Sequence, residues 1–227
     1  SSGTSYTDIG HVRVHDWNGS SWQQRGADID GENTGDMSGN AVAVNGDGNT
    51  IAIGAINNDG NGQDSGHVRV YQWSGSAWTQ VGSDIDGEAN NDNSGVSISL
   101  STDGRTLAVG ADNNDGANGS DSGHVRVYDL SGSQWVQRGV DIDGESASDY
   151  SGVSVDLSGD GKSLVVGAKG NDGNGSNAGH ARVFDWSGSR WEQRGSDIDG
   201  ESSGDQSGSS ATISNDGQTV VLGAPGN

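Results

Sequence analysis

The sequence is dominated by a unit of 56 or 57 residues that is written four times. The phrase GHVRV begins at Gly10 and returns at Gly66 and Gly123, and GHARV follows at Gly179. The phrase DIDGE and a Gly-Ala pair keep the same offsets. A period of this length is typical of repeat architectures, in which each unit packs against its neighbours. We therefore predict one continuous domain over residues 1–227, with repeats that start near residues 10, 66, 123 and 179.

Composition excludes several classes of protein. Val, Ile, Leu and Phe make up only about 16% of the chain and the net charge is −21, which alone would suggest disorder. A disordered chain does not need apolar residues at fixed alternating positions, however, whereas a sheet does. The 32 acidic and 11 basic residues should repel nucleic acid and anionic membranes and attract cations. No apolar run approaches the ~20 residues that span a bilayer, so we expect no nucleic-acid binding and no membrane insertion.

Each repeat contains four short runs of alternating apolar and polar residues, which are typical of antiparallel strands. In the first repeat the runs cover residues 11–17, 22–29, 42–44 and 51–55. Four strands in ~57 residues correspond to one blade of a β-propeller. A stacked β-solenoid is the alternative, but its repeats usually hold one to three strands in ~20 to 30 residues. The expected fold is therefore an all-β propeller of four-stranded antiparallel blades.

Some of these phrases resemble a known family. The segment from Asp149 to Val155, DYSGVSV, resembles the D-x-F-G-x-S-V opening of the FG-GAP repeats that build the β-propeller of integrin α subunits. Leu222 to Pro225 resembles the family's closing G-A-P, and the W-x-Q-x-G-x-D-I-D-G-E wording is similar to repeats of large secreted bacterial and algal surface proteins. The resemblance implies a propeller that is secreted or displayed at the cell surface.

One departure from the family concerns calcium. FG-GAP repeats that bind calcium carry several carboxylates in a D-x-D-x-D-G-x-x-D turn. The corresponding turns here keep only Asp47, Asp103, Asp160 and Asp216. One carboxylate per turn is too few for Ca²⁺, which takes six to eight oxygen ligands. The family's calcium site is therefore not carried over to this chain.

The two ends of the sequence each hold half of one blade. The chain begins just before a GHVRV run and ends just after a Gly-Ala run. Pairing of the two halves, with the last blade shared between residues 179–227 and 1–38, would close four blades and satisfy every edge strand. A four-repeat excerpt from a longer array and a dimer that completes eight blades are the alternatives.

The strongest candidate for a metal site is the acidic loop that contains DIDGE. Each copy places four carboxylates within nine residues, and their mutual repulsion would be relieved by a hard divalent cation such as Ca²⁺. The alternative is that Asp and Gly merely end strands and cap turns. The candidate ligands are Asp28, Asp30, Glu32, Asp36, Asp84, Asp86, Glu88, Asp92, Asp141, Asp143, Glu145, Asp149, Asp197, Asp199, Glu201 and Asp205.

One tryptophan per repeat is the second candidate: Trp22, Trp78, Trp135 and Trp191. Exposed indoles would make stacking platforms for sugars, whereas buried ones would pack between blades, which is the commoner use of aromatic side chains. We favour the packing interpretation.

The repeats argue against catalysis. An enzyme needs one asymmetric constellation of nucleophile, base and orienting group, but the histidines and arginines of GHVRV recur four times. We interpret them as a structural ladder beside carboxylates.

We therefore expect a non-enzymatic extracellular module for adhesion or scaffolding, stabilised by calcium, whose partner is an extracellular protein, a glycan surface or another copy of itself. A carbohydrate-binding propeller and a subunit of an extracellular filament are the alternatives.

Overall fold

The computed structural model describes residues 9–227 and is all-β over that part of the chain. The three central sheets have five strands each and the same topology. Their strands lie beside strands of the next sheet in chain order, so the sheets pack as successive blades. No helix in the described residues could cross a membrane.

The strands are short and follow the repeat. The first unit holds β1 (His11–Val12), β2 (His15–Trp17), β3 (Trp22–Gln24) and β4 (Ile29–Asp30). The three central sheets hold β5 (Ala41–Val44), β6 (Thr50–Ala55), β7 (His67–Trp73), β8 (Trp78–Gln80) and β9 (Ile85–Asp86); β10 (Ser97–Leu100), β11 (Thr106–Ala111), β12 (His124–Ser131), β13 (Gln134–Gln137) and β14 (Ile142–Asp143); and β15 (Ser151–Leu157), β16 (Ser163–Ala168), β17 (His180–Trp186), β18 (Trp191–Gln193) and β19 (Ile198–Asp199). The last sheet holds β20 (Ser210–Ile213) and β21 (Val220–Gly223).

A blade does not coincide with a sequence repeat. Each central sheet joins the last two strands of one repeat to the first strands of the next, in the antiparallel order β5-β6-β7-β8 and its two equivalents. The first unit consequently has only the later strands of a blade, and the last sheet has only the earlier ones. The expectation that each end of the sequence holds half a blade is met by the described residues.

The predicted second strand, residues 22–29, is two strands instead. Trp22–Gln24 pairs with the second half of the preceding run and Ile29–Asp30 pairs with its first half. Gly26 separates them with a φ of +82°, a left-handed conformation that glycine adopts without steric cost. The same division recurs in every blade, so each complete sheet has five strands where four were predicted.

The apolar cores lie between consecutive blades. One cluster joins Val68 and Val70 of the first central sheet to Leu107 and Val109 of the second, and equivalent clusters fill the other junctions. Because each blade buries its faces only against its neighbours, stability is distributed along the series in the manner of repeat proteins.

Candidate functional site: the blade junctions

Each of three consecutive blade junctions brings one histidine together with two carboxylates. The groups are Glu32 with His67 and Asp84, Glu88 with His124 and Asp141, and Glu145 with His180 and Asp197. In each group one ligand atom from every residue lies within 4.8 Å of the others. We call these the junction clusters. Each combines a glutamate from one repeat with a histidine and an aspartate from the next.

The histidines of the junction clusters come from the GHVRV strand and are fully buried. Nδ1 of His67 lies 3.9 Å from Oδ2 of Asp84, and Nδ1 of His180 lies 3.9 Å from Oδ2 of Asp197. In the middle cluster Nδ1 of His124 is 3.9 Å from Oε2 of Glu88. These contacts agree with the predicted ladder of histidines beside carboxylates, but the glutamate partner comes from the preceding repeat.

The imidazoles are held in the neutral form. Burial, assisted by the adjacent Arg126, lowers the pKa of His124 to about 4. Burial likewise lowers the pKa of His67 and of His180. A neutral imidazole has a lone pair and can accept a hydrogen bond or bind a metal ion.

An arginine two residues after each histidine ties the two blades together. Nη2 of Arg126 donates to the backbone carbonyl of Asp86 at 2.6 Å, and its Nη1 lies 3.5 Å from Oε1 of Glu88. Arg69 and Arg182 make the same two contacts in the other junctions. The guanidinium therefore engages one oxygen of the glutamate, while the other oxygen faces the histidine in the middle cluster.

The remaining predicted metal ligands have other surroundings. The last aspartate of each loop, Asp92 for example, is buried and accepts hydrogen bonds from the backbone N–H groups of Glu88 and Ala89 and from the side chain of Asn114. This is the turn-capping role that was considered as the alternative to metal binding. The equivalent residues are Asp36, Asp149 and Asp205.

Asp30, Asp86, Asp143 and Asp199 lie on the short last strand of each blade, opposite the histidine strand. Six of the sixteen predicted ligands thus enter junction clusters, and they come from two repeats rather than from one loop. Calcium binding by these loops stays a prediction. The histidines were missed as candidate ligands, although their fourfold recurrence at a constant offset from DIDGE was the signal that could have identified them.

The tryptophans are half-buried wherever a preceding blade exists. Nε1 of Trp78 donates to the carbonyl of Arg25 at 2.8 Å, and the Arg25 guanidinium lies 4.8 Å from the ring centroid of Trp73 and 5.3 Å from that of Trp78. Arg138 covers Trp186 and Trp191 in the same way. These indole faces are covered by protein, which agrees with packing rather than sugar stacking.

At the N-terminal end of the series of blades, the equivalent side chains are exposed to solvent. Trp22 is 66% exposed, and Val42 and Val44 are 58% and 60% exposed. Their equivalents in the next blade, Ile98 and Leu100, are only 9% exposed each. Within residues 9–227 no arginine covers the ring of Trp22, so this indole is open where that of Trp78 is packed.

A groove of about 290 Å³ lies where the first blade, over the described residues, has outer strands and no inner hairpin. It is lined mainly by apolar side chains: Val12, Val14, Val42, Val44, Ile51 and Ile53. At the other end of the series, β20 and β21 form a hairpin whose Val221 is 62% exposed. The equivalent residues Ala52, Ala108 and Val165 are fully buried by strand pairing and by the next blade.

The fold and the junctions define an all-β protein of propeller-like, antiparallel blades. The FG-GAP repeat family model matches residues 28–71 and 140–184. Each matched segment runs from a DIDGE loop to the end of the next GHVRV or GHARV strand. Residues 28–71 and 140–184 therefore match FG-GAP repeats, as the phrases in the sequence predicted. No curated protein matches the chain significantly.

The similar solved structures include the two described next. A candidate 6-phosphogluconolactonase from Bacteroides uniformis has a TM-score of 0.55 at 12% identity over 85% of this chain and 50% of that chain. The hydrazine synthase of Kuenenia stuttgartiensis has a TM-score of 0.48 at 18% identity over 80% of this chain and 40% of that one. The chain thus spans half of these structures or less. At 12% identity the first likeness concerns the fold alone.

Proposed function

We propose that this chain is a non-enzymatic extracellular scaffolding module of the β-propeller type, and that it acts through the pairing of its two incomplete blades. The observation that carries the proposal is the complementarity of the two ends. One end has a groove where an inner hairpin is missing, and the other end presents an inner hairpin without outer strands.

The three complete blades show which residues of the last hairpin and of the first unit would pair with each other. Ala52 pairs with Val70, Ala108 with Val127, and Val165 with Val183 in the three complete blades. The equivalent pair at the ends is Val221 with Val14. Pairing there would cover the exposed valines on both sides and satisfy the backbone groups of two edge strands, which otherwise invite strand addition.

The side chains at the two ends are complementary as well. Arg194 is the repeat equivalent of Arg25 and Arg138, and in the paired state its guanidinium would cover the exposed Trp17 and Trp22. Stacking of arginine on tryptophan contributes about 0.5–2 kcal/mol for each desolvated contact. Glu201 would likewise meet His11 and Asp28 and complete a fourth junction cluster.

Pairing within one chain closes a four-bladed propeller, and pairing between chains joins copies head to tail. The second arrangement makes the chain a scaffold or a filament subunit, since each added copy presents a new groove and a new hairpin. The surplus of acidic residues and the FG-GAP resemblance support an extracellular site of action. Fourfold recurrence of the polar residues supports a non-enzymatic role.

The register can be tested with a cysteine pair, because the natural chain has no cysteine. Mild oxidation of the Val14→Cys, Val221→Cys double variant should form a disulfide efficiently. The control is Val14→Cys with Val140→Cys, since Val140 is exposed but lies outside the predicted register. Gel electrophoresis without reductant separates a ladder of linked chains from a compact closed monomer.

A ladder supports the scaffolding role. A closed monomer supports blade pairing but overturns head-to-tail assembly. Cross-linking no faster than in the control overturns the pairing itself. Mixing the two single-cysteine variants isolates the contact between chains, because a chain with one cysteine cannot form a disulfide within itself.

A further inference from the structure

The junction clusters recur with the same three residue types at three places in the described chain. Each holds an imidazole and two carboxylates whose ligand atoms lie within 4.8 Å of one another. The positions in the sequence are far apart, since Glu32 precedes His67 by 35 residues and Asp84 follows it by 17. The grouping is therefore produced by the packing of one blade on the next.

A second observation points to a missing ligand. His67 and His180 are about 1% exposed, and neither nitrogen of either ring has a hydrogen-bond partner. A buried polar group without a hydrogen-bond partner destabilises the fold unless a ligand satisfies it. Nδ1 of each ring faces the aspartate of its cluster across 3.9 Å, which is too long for a hydrogen bond but spans the space beside a bound ion.

We propose that each of the three blade junctions binds one divalent first-row transition-metal ion, such as Zn²⁺, through Nδ1 of the histidine and one oxygen each of the glutamate and the aspartate. Nitrogen together with carboxylate oxygen is the ligand set of these metals, whereas Ca²⁺ and Mg²⁺ take oxygen ligands only. Water would complete the coordination, because only three protein ligands converge.

Neighbouring side chains hold the aspartates in place. Nε2 of Gln80 donates to Oδ1 of Asp84 at 2.6 Å and leaves Oδ2 toward His67. Gln137 and Gln193 hold Asp141 and Asp197 at the same distance. A fixed outer hydrogen bond of this kind orients a metal ligand before the ion arrives.

Binding requires the ligand atoms to contract around the ion. Metal–ligand bonds of about 2.0–2.2 Å place tetrahedral ligand atoms about 3.3–3.6 Å apart, so the imidazole and the carboxylate at 3.9 Å need to approach by roughly half an ångström. Ligand atoms that lie up to 4.8 Å apart need to approach by up to roughly 1.3 Å. The histidine is fixed by burial, but Asp84 and Glu32 are partly exposed and can move. Their exposure also gives an ion a route from solvent.

The local charge favours a cation. Around His124 lie the carboxylates Glu88 and Asp141 and one guanidinium, Arg126, so two negatively charged groups and one positively charged group face the ring. Arg126 occupies Oε1 of Glu88 while Oε2 faces the ring. One carboxylate oxygen is thus left for the ion.

The test is zinc stoichiometry. The chain is stripped with chelator, equilibrated with ZnSO₄, passed through a desalting column and analysed for bound metal, with affinities from calorimetric titration. We expect three tightly bound ions per chain. Where the ends of the chain are paired, Glu201, His11 and Asp28 would add a fourth. A tenfold excess of CaCl₂ should not displace the zinc.

Single substitutions assign the ligands. His67→Gln and Asp84→Asn should each remove one equivalent of zinc, and His15→Gln should remove none, because His15 is exposed and outside the clusters. Asp84→Asn preserves the side-chain shape at a partly exposed position, so it keeps the test valid if His67→Gln misfolds. Fewer than one bound zinc per chain, or three that all persist in Asp84→Asn, would overturn the proposal.

Discussion

The packing of blade on blade predicts the cost of truncating Leu107. This side chain lies on β11, is fully buried, and packs in the cluster that joins two central blades. Leu107→Ala removes three carbon atoms, which corresponds to a transfer term of about 2.4 kcal/mol at ~0.8 kcal/mol per methylene. Incomplete collapse of the resulting cavity adds to this, since buried Leu→Ala changes cost about 2.7–5 kcal/mol in total. We expect a loss of about 3–4 kcal/mol.

The assay is urea unfolding followed by tryptophan fluorescence and by circular dichroism. Two probes are needed because a chain of stacked repeats can lose cooperativity, and only coincident transitions justify a two-state free energy. For a domain of this size the expected loss corresponds to a fall in Tm of roughly 6–15 °C. The control is Val140→Ala, at a position 78% exposed, which should change stability by less than about 0.5 kcal/mol. A loss below 1 kcal/mol for Leu107→Ala would refute the reasoning, because it would mean that the two blades do not pack at this position.

Two further predictions concern groups near the junctions. Burial raises the pKa of Tyr128 to about 12 from an ordinary value of 10, so the folded phenol keeps a proton that the unfolded chain loses. The resulting stability, roughly 2–3 kcal/mol, is present below pH 10 and is lost as the pH rises toward 12. Absorbance at 295 nm should show the late ionisation, and Tyr128→Phe should remove its share and leave that of Tyr71, whose pKa is also raised by burial. Asp92→Ala leaves the backbone N–H groups of Glu88 and Ala89 and the amide of Asn114 without their acceptor. It should cost about 2–3 kcal/mol in urea unfolding, and a change below 0.5 kcal/mol would contradict the loop-capping role of Asp92.

The repeat made much of the architecture predictable. Alternation in GHVRV and in the Val42 and Ile51 runs indicated strands, because side chains of a strand alternate between two faces. The constant offset of 56 or 57 residues between copies indicated that the repeats stack in register. The half-blades at the two ends followed from the positions of the first and last predicted strands. The division of residues 22–29 into two strands was missed, because alternation does not report the left-handed turn at Gly26.

The junction clusters could not be predicted from the sequence alone. Their carboxylates were found as acidic residues, but the sequence groups Asp28, Asp30, Glu32 and Asp36 by proximity along the chain. In the folded chain Glu32 belongs with His67 and Asp84 of the following repeat. Short sequence patterns show which residues are polar. They do not show which loop of one blade contacts which strand of the next blade.

Residues of the same type at equivalent positions of the repeat also differ in burial, because their neighbouring blades differ. Trp22 and Trp78 occupy the same position in the repeat, yet Trp22 is exposed while Trp78 donates to the carbonyl of Arg25 in the preceding blade. Likewise, the next blade helps to explain the recurring glycine at Gly110, because a Cβ there would collide with the backbone carbonyl oxygen of Gly152. The sequence by itself determined most of the strands, their repeat and the resemblance of that repeat to FG-GAP. The tertiary structure decided which of the repeated residues are covered and which are brought together, because burial and close contact depend on the adjacent blade and not on the residue itself.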